Sequence, residues 1–147
     1  MNDASFAAEL QRVSLNEAQE ILEDTEAAFM KIESNPDDAK TIDKIFRLVH
    51  TIKGSAQVAG FVELGNFTHT FENLLGLIRD RKLAVTADVA DNLLAGNDSL
   101  HLFVAELKKS ANADVNCDQV SQRIEHAITA EVVDKAKPVR NVETSAN

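Results

Sequence analysis

Residues 42–60 read IDKIFRLVHTIKGSAQVAG, and the spacing of their apolar side chains decides the fold. Ile42, Ile45, Phe46, Val49, Ile52, Ala56 and Ala59 recur at steps of three and four, the period of one face of an α-helix. Gly60 ends the run, as glycine commonly does just past a helix. Ahead of it, Ser34-Asn35-Pro36-Asp37-Asp38 reads as a loop and a helix start, with proline tolerated in a first turn and carboxylates placed at the positive end of the helix dipole.

The same period appears on both sides. Ala18, Ile21, Leu22, Thr25, Phe29 and Ile32 form an earlier helix. Ser14-Leu15-Asn16-Glu17 has capping-box spacing, yet Phe6, Leu10 and Val13 continue the period upstream, so the helix starts at Ser14 or passes through it from near Ala4. A third helix, Val62 to Lys82, carries Leu64, Phe67, Phe71, Leu74, Leu75 and Ile78, and its short connection makes it antiparallel to the second. Thr86 can cap a fourth, with Val89, Leu93, Leu100, Phe103, Val104 and Leu107, which Gly96-Asn97 is expected to loosen or bend. Val120, Ile124, Ala127 and Ile128 mark a shorter fifth. The predicted fold is all-α, an antiparallel up-down four-helix bundle with a fifth, shorter C-terminal helix. Residues 1–133 are read as one domain, and 134–147, aperiodic and containing Pro138, as a linker or loose tail.

Composition narrows the partners. The absence of Trp and Tyr, with five Gly and two Pro, disfavours a sheet. A formal net charge of −9 repels nucleic-acid backbones and anionic membranes, so neither is an expected partner. Cys117 is the single cysteine, which rules out an intramolecular disulfide and fits a reducing, cytoplasmic setting. No apolar run reaches the roughly 20 residues of a membrane span.

His50 directly follows core residue Val49, about 100° further round the helix, at the edge of the buried stripe. Lys53 and Gly54 stand three and four residues on, on the same surface one turn later. A glycine inside a helix costs about 1 kcal/mol relative to alanine. Close helix packing through Gly54-Ser55-Ala56 and space kept free beside His50 explain it equally well from spacing alone. His69 and Glu72, each just after a stripe position, occupy a matching strip on the third helix. With the two helices in register, the Glu72 carboxylate can accept from Nδ1–H of His50, leaving the Nε2 lone pair outward as a nucleophile.

The string Phe46-Arg47-Leu48-Val49-His50-Thr51-Ile52-Lys53-Gly54-Ser55-Ala56 through Gly60-Phe61 resembles the phosphorylation-site helix of histidine-phosphotransfer domains, with its His, two residues, Lys, Gly and a small pair. Thr68-His69-Thr70-Phe71-Glu72-Asn73-Leu74-Leu75 is similar to the next helix of one subclass, the amino-terminal phosphotransfer domain of CheA-type chemotaxis kinases. The resemblance extends over roughly Leu15 to Leu107. It implies that His50 is the phosphorylated residue, Glu72 its hydrogen-bond partner, Lys53 and His69 members of the surrounding polar cluster, and Gly54 the space-making glycine. It departs in Ser55, where a second glycine is common, and in Val58-Ala59, where an aromatic is more usual.

It further implies a phosphoryl carrier of two-component signalling. A histidine kinase catalytic domain would phosphorylate His50 from ATP, and a response regulator receiver domain, CheY-like or CheB-like, would take the phosphoryl group on an aspartate. ATP and Mg²⁺ would be used by those partners, with no cofactor bound by this module. These 147 residues hold no Gly-rich phosphate cradle, so self-phosphorylation is not expected, and the chain is read as a fragment of a larger kinase or its separate partner. A carrier of a non-chemotaxis phosphorelay is the runner-up, and a non-phosphorylated docking bundle the bland rival. A metal centre is not expected, because bundle metal sites pair Glu-x-x-His on two helices, whereas here the order is His69-x-x-Glu72, once.

Overall fold

The computed structural model describes residues 2–136. Among them are five helices and no strand: α1 Asp3–Ser34, α2 Ala39–Ala59, α3 Val62–Arg79, α4 Ala87–Lys109 and α5 Asp118–Ala136. Helices α1 to α4 close a ring in which each packs on its two chain or ring neighbours, and α5 lies against α3 and α4. At 19 residues, α5 is shorter than α1, α2 and α4 but not than the 18-residue α3. Residues 134–136, part of the stretch read as a linker or loose tail, are helical and continue α5; the rest of that stretch lies outside the described residues.

Local chemistry sets most of the ends. Asn2 caps α1, its side chain accepting from Ser5 N–H at 2.7 Å. Ser14 is not a start: the helix passes through it, and the buried Ser14 hydroxyl accepts from Ser55 of α2 at 2.9 Å. Asp38 caps α2 by accepting from the Lys40 and Thr41 amides at 3.1 and 3.4 Å. Gly60 ends α2 at φ +83°, a left-handed conformation that costs glycine nothing. Thr86 caps α4 through the Val89 amide at 3.2 Å.

Helix α3 stops at Arg79, three residues before Lys82. Arg81 N–H donates to Ile78 C=O at 3.0 Å and Lys82 N–H to Leu77 C=O at 2.8 Å, the paired bonds of a Schellman ending. Its left-handed position holds Arg81, at φ +59°, instead of glycine, so the sequence carries no stop signal there.

The core is a continuous cluster from all five helices, with Phe29, Phe71, Leu74, Leu75, Leu93, Leu100 and Ile124 fully enclosed. Phe71 sits at its centre, 6.1 Å from Phe29 and 6.2 Å from Phe67 between ring centroids. A Cβ at Gly96 would lie 2.7 Å from two atoms of the Phe71 ring. Gly96 therefore makes room for that ring, and α4 runs on through Gly96-Asn97 without a break. Burying Phe71 contributes about 1.5–3 kcal/mol and fixes the rotation of α3. Its chain neighbour Glu72 then faces α2.

Candidate functional site

The α2–α3 pairing brings His50, Lys53 and Glu72 together. Nδ1 of His50 is hydrogen-bonded to Oε2 of Glu72, and Nζ of Lys53 donates to Oε1 at 2.7 Å. Both oxygens of one carboxylate are thus taken by α2 donors a turn apart. The exposures differ sharply: the side chain of His50 is 62% exposed, those of Lys53 and Glu72 only 16% and 11%. The nucleophile candidate stands in solvent on a pedestal that does not.

Burial works to push the Glu72 carboxyl up, but the hydrogen bonds from Lys53 and His50 and the charge of Lys53 outweigh it, and the group is held below the ordinary carboxylate range. An ionised carboxylate only accepts. Nδ1 of His50 therefore carries its hydrogen toward Glu72, and in the neutral ring the lone pair is on Nε2, at the opposite edge.

The other two site residues fall differently. A Cβ at Gly54 would meet nothing within 4 Å, so the glycine is not there for close helix packing; it leaves open space one turn from His50. His69 lies on α3 one turn before Glu72, exposed, and makes no hydrogen bond among the described residues. The structure unites His50, Lys53 and Glu72 and leaves His69 beside them. On α1, Ala18 and Leu22 are buried in the core, at 3% and 1% exposure, and offer no surface to a partner. Phe46 is half-buried and Gln57 exposed.

Two features escape the sequence reading. The Phe46 ring lies nearly parallel to the imidazole of His50, with centroids 6.4 Å apart and 13° between planes, and the Arg79 guanidinium lies 4.0 Å from the Phe46 centroid. The i to i+4 spacing of Phe46 and His50 was a signal; nothing marked Arg79. On another face, His101 meets Glu26 of α1 at 3.1 Å, and the same oxygen accepts from the buried Asn97 amide at 3.1 Å. His126 is exposed. Burial pushes the Cys117 thiol up and Asp118 adds to this, against a hydrogen bond from Ser99, so Cys117 is a poor nucleophile. Among the described residues no cluster of three or more His, Cys, Asp or Glu is arranged to hold a metal ion, and no helix is long and apolar enough to cross a membrane.

Comparison with known proteins shows the family of the chain. The Hpt domain family matches residues 9–130. The chemotaxis protein CheA of Borreliella burgdorferi is 38% identical over 97 residues, 66% of this chain and 11% of the relative. CheA of Bacillus subtilis is 29% identical over 127 residues, 86% of this chain and 19% of the relative. The chain thus spans a small part of the curated relatives it matches. Among solved structures, the phosphorylated P1 domain of CheA3 from R. sphaeroides, determined in complex with CheY6, superposes with TM-score 0.74 at 26% identity, over 83% of this chain and 97% of that one. The CheA phosphotransferase domain from Thermotoga maritima gives 0.62 at 29% identity, over 74% and 99%.

Proposed function

The chain belongs to the Hpt domain family, and from that premise we propose that it is a phosphoryl carrier of chemotaxis-type two-component signalling, with His50 as the phosphorylated residue. The observation that carries this reading is the exposed His50 ring bonded through Nδ1 to the buried, ionised Glu72. A histidine kinase catalytic domain presents ATP. The Nε2 lone pair forms a bond to the γ-phosphorus as the bond to the bridging oxygen breaks and ADP leaves. The ring gains positive charge as it is phosphorylated, and Glu72, bonded at Nδ1–H, stabilises that charge. Lys53 keeps Glu72 ionised for this task.

In the second half, a receiver domain docks over the open space at Gly54. Its aspartate oxygen attacks phosphorus, the N–P bond breaks, and the electron pair returns to Nε2. Mg²⁺ for both halves comes with the partners. A CheY-like receiver is supported by the R. sphaeroides complex, in which such a domain is bound to CheY6; a CheB-like receiver fits the same chemistry. The kinase domain is either on the same polypeptide, as the long CheA relatives suggest, or on a separate one.

The test is the intact mass of the wild-type chain and of His50→Gln after incubation with ATP, Mg²⁺ and an active CheA-type kinase domain. One acid-labile, base-stable phosphoryl group on the wild type alone is expected. Equal labelling of both proteins, or of neither, rules His50 out.

A further inference from the structure

We infer that Phe46, pinned by Arg79, is a positioning residue that fixes the plane of the His50 imidazole and so aims Nε2. This rests on His50 being the phosphoryl acceptor. Glu72 holds the ring at one atom, Nδ1, and a single hydrogen bond leaves the ring free to rock about it. Rotation of a histidine ring about its sp³–sp² bond is intrinsically broad, and at 62% exposure little else confines it. The reacting lone pair lies in the ring plane, so wherever the plane tilts, the direction of attack tilts too. In-line phosphoryl transfer is sensitive to that direction.

The second constraint is supplied one turn earlier on α2. The Phe46 ring is nearly parallel to the imidazole, with centroids 6.4 Å apart, within the range of offset aromatic pairs. Phe46 is itself held from α3. Its edge lies 3.6 Å from where a Cβ of Gly76 would stand, and the Arg79 guanidinium lies 4.0 Å from its centroid, a planar cation on an aromatic face. Asp80 pairs with Arg79 at 3.1 Å and limits its travel. A chain of contacts Arg79, Phe46, His50 therefore reaches the imidazole from α3 by a route separate from Glu72.

The experiment separates aiming from docking by using two phosphoryl donors on the full chain. Phosphoramidate is too small to need a docking surface: the Nε2–P bond forms as its P–N bond breaks and ammonia leaves. Phe46→Leu is expected to slow labelling of His50 by phosphoramidate about three- to tenfold, a small part of the roughly hundredfold that a 1 Å misplacement can cost. Arg79→Gln, a surface change that leaves the bundle folded, slows it about two- to threefold, and Arg79→Lys, which keeps a cation over the ring, recovers part of the loss. With the kinase domain and ATP, kcat falls in parallel and KM holds. Phosphoramidate rates equal to wild type in Phe46→Leu and Arg79→Gln overturn the inference, and a loss confined to a higher KM with the kinase makes Phe46 a docking residue instead. A wild-type chain labelled by neither donor removes His50 as acceptor, a different failure.

Discussion

Lys53 donates to one oxygen of Glu72 at 2.7 Å while His50 occupies the other, so the histidine is coupled to a cation it does not touch. Removing the carboxylate breaks both links. In Glu72→Gln the amide is neutral and no longer stabilises positive charge on the ring, so phosphorylation of His50 should slow by about ten- to a hundredfold, while helical content by circular dichroism is retained. An unchanged rate would take Glu72 out of the chemistry.

Lys53→Met tests what the cation does. With the ammonium gone, burial is opposed by His50 alone, and the Glu72 carboxyl should titrate at higher pH than in the wild type. In the wild type Glu72 titrates lower in the folded bundle than in the unfolded chain. Its contribution to stability is therefore complete above the ordinary carboxylate range and is lost as pH falls through its own lowered pKa. The variant should lose that contribution at a higher pH on acidification. Carboxyl ¹³C shifts of Glu72 across an acid titration report this directly, and coincident curves for the two proteins would refute it.

Much of this site was legible because helix period and register suffice. Val49 fixes where His50 emerges, Phe71 fixes where Glu72 emerges, and the two-residue link at Gly60-Phe61 sets α2 beside α3. Ser14 was undecidable locally: a capping box and a helix interior share that string, and burial against Ser55 selects the interior. Arg81 hid the end of α3 because a non-glycine residue takes the left-handed position. Gly96 was misjudged as a loosening point, since the ring that needs its space is 25 residues away in sequence, at Phe71. Arg79 was invisible because its partner, Phe46, is on another helix.

Gly54→Ala isolates the open space. Beyond its chain neighbours and the backbone of its own helix, the added methyl meets nothing within 4 Å, and alanine is the better helix former, so the bundle should gain about 0.5–1 kcal/mol. Transfer from phosphorylated His50 to a receiver should nonetheless slow several-fold, because the methyl intrudes where the partner approaches. A melt and a stopped transfer assay on the same sample read both quantities. If transfer is as fast as in the wild type, the glycine is not spacing the partner.

Gly96→Ala should do the reverse. Its Cβ would fall 2.7 Å from Cε1 and Cζ of Phe71 and 3.1 Å from Cδ1, distances that force a shift. Phe71 is completely buried and packs on Phe29 and Phe67, so the ring cannot swing away without disturbing three helices. Overpacking of this kind costs about 1–3 kcal/mol, and the helix-forming advantage of alanine, about 0.5–1 kcal/mol, offsets only part. A net loss of about 1–2 kcal/mol follows, lowering the melting temperature by about 2–4 °C per kcal/mol for a chain of this size. Because Glu72 is the next residue on α3, displacement of Phe71 also moves the carboxylate, and phosphorylation of His50 should slow along with the drop in stability. A Gly96→Ala protein that melts at or above the wild-type temperature would show that the glycine is not holding space for the ring.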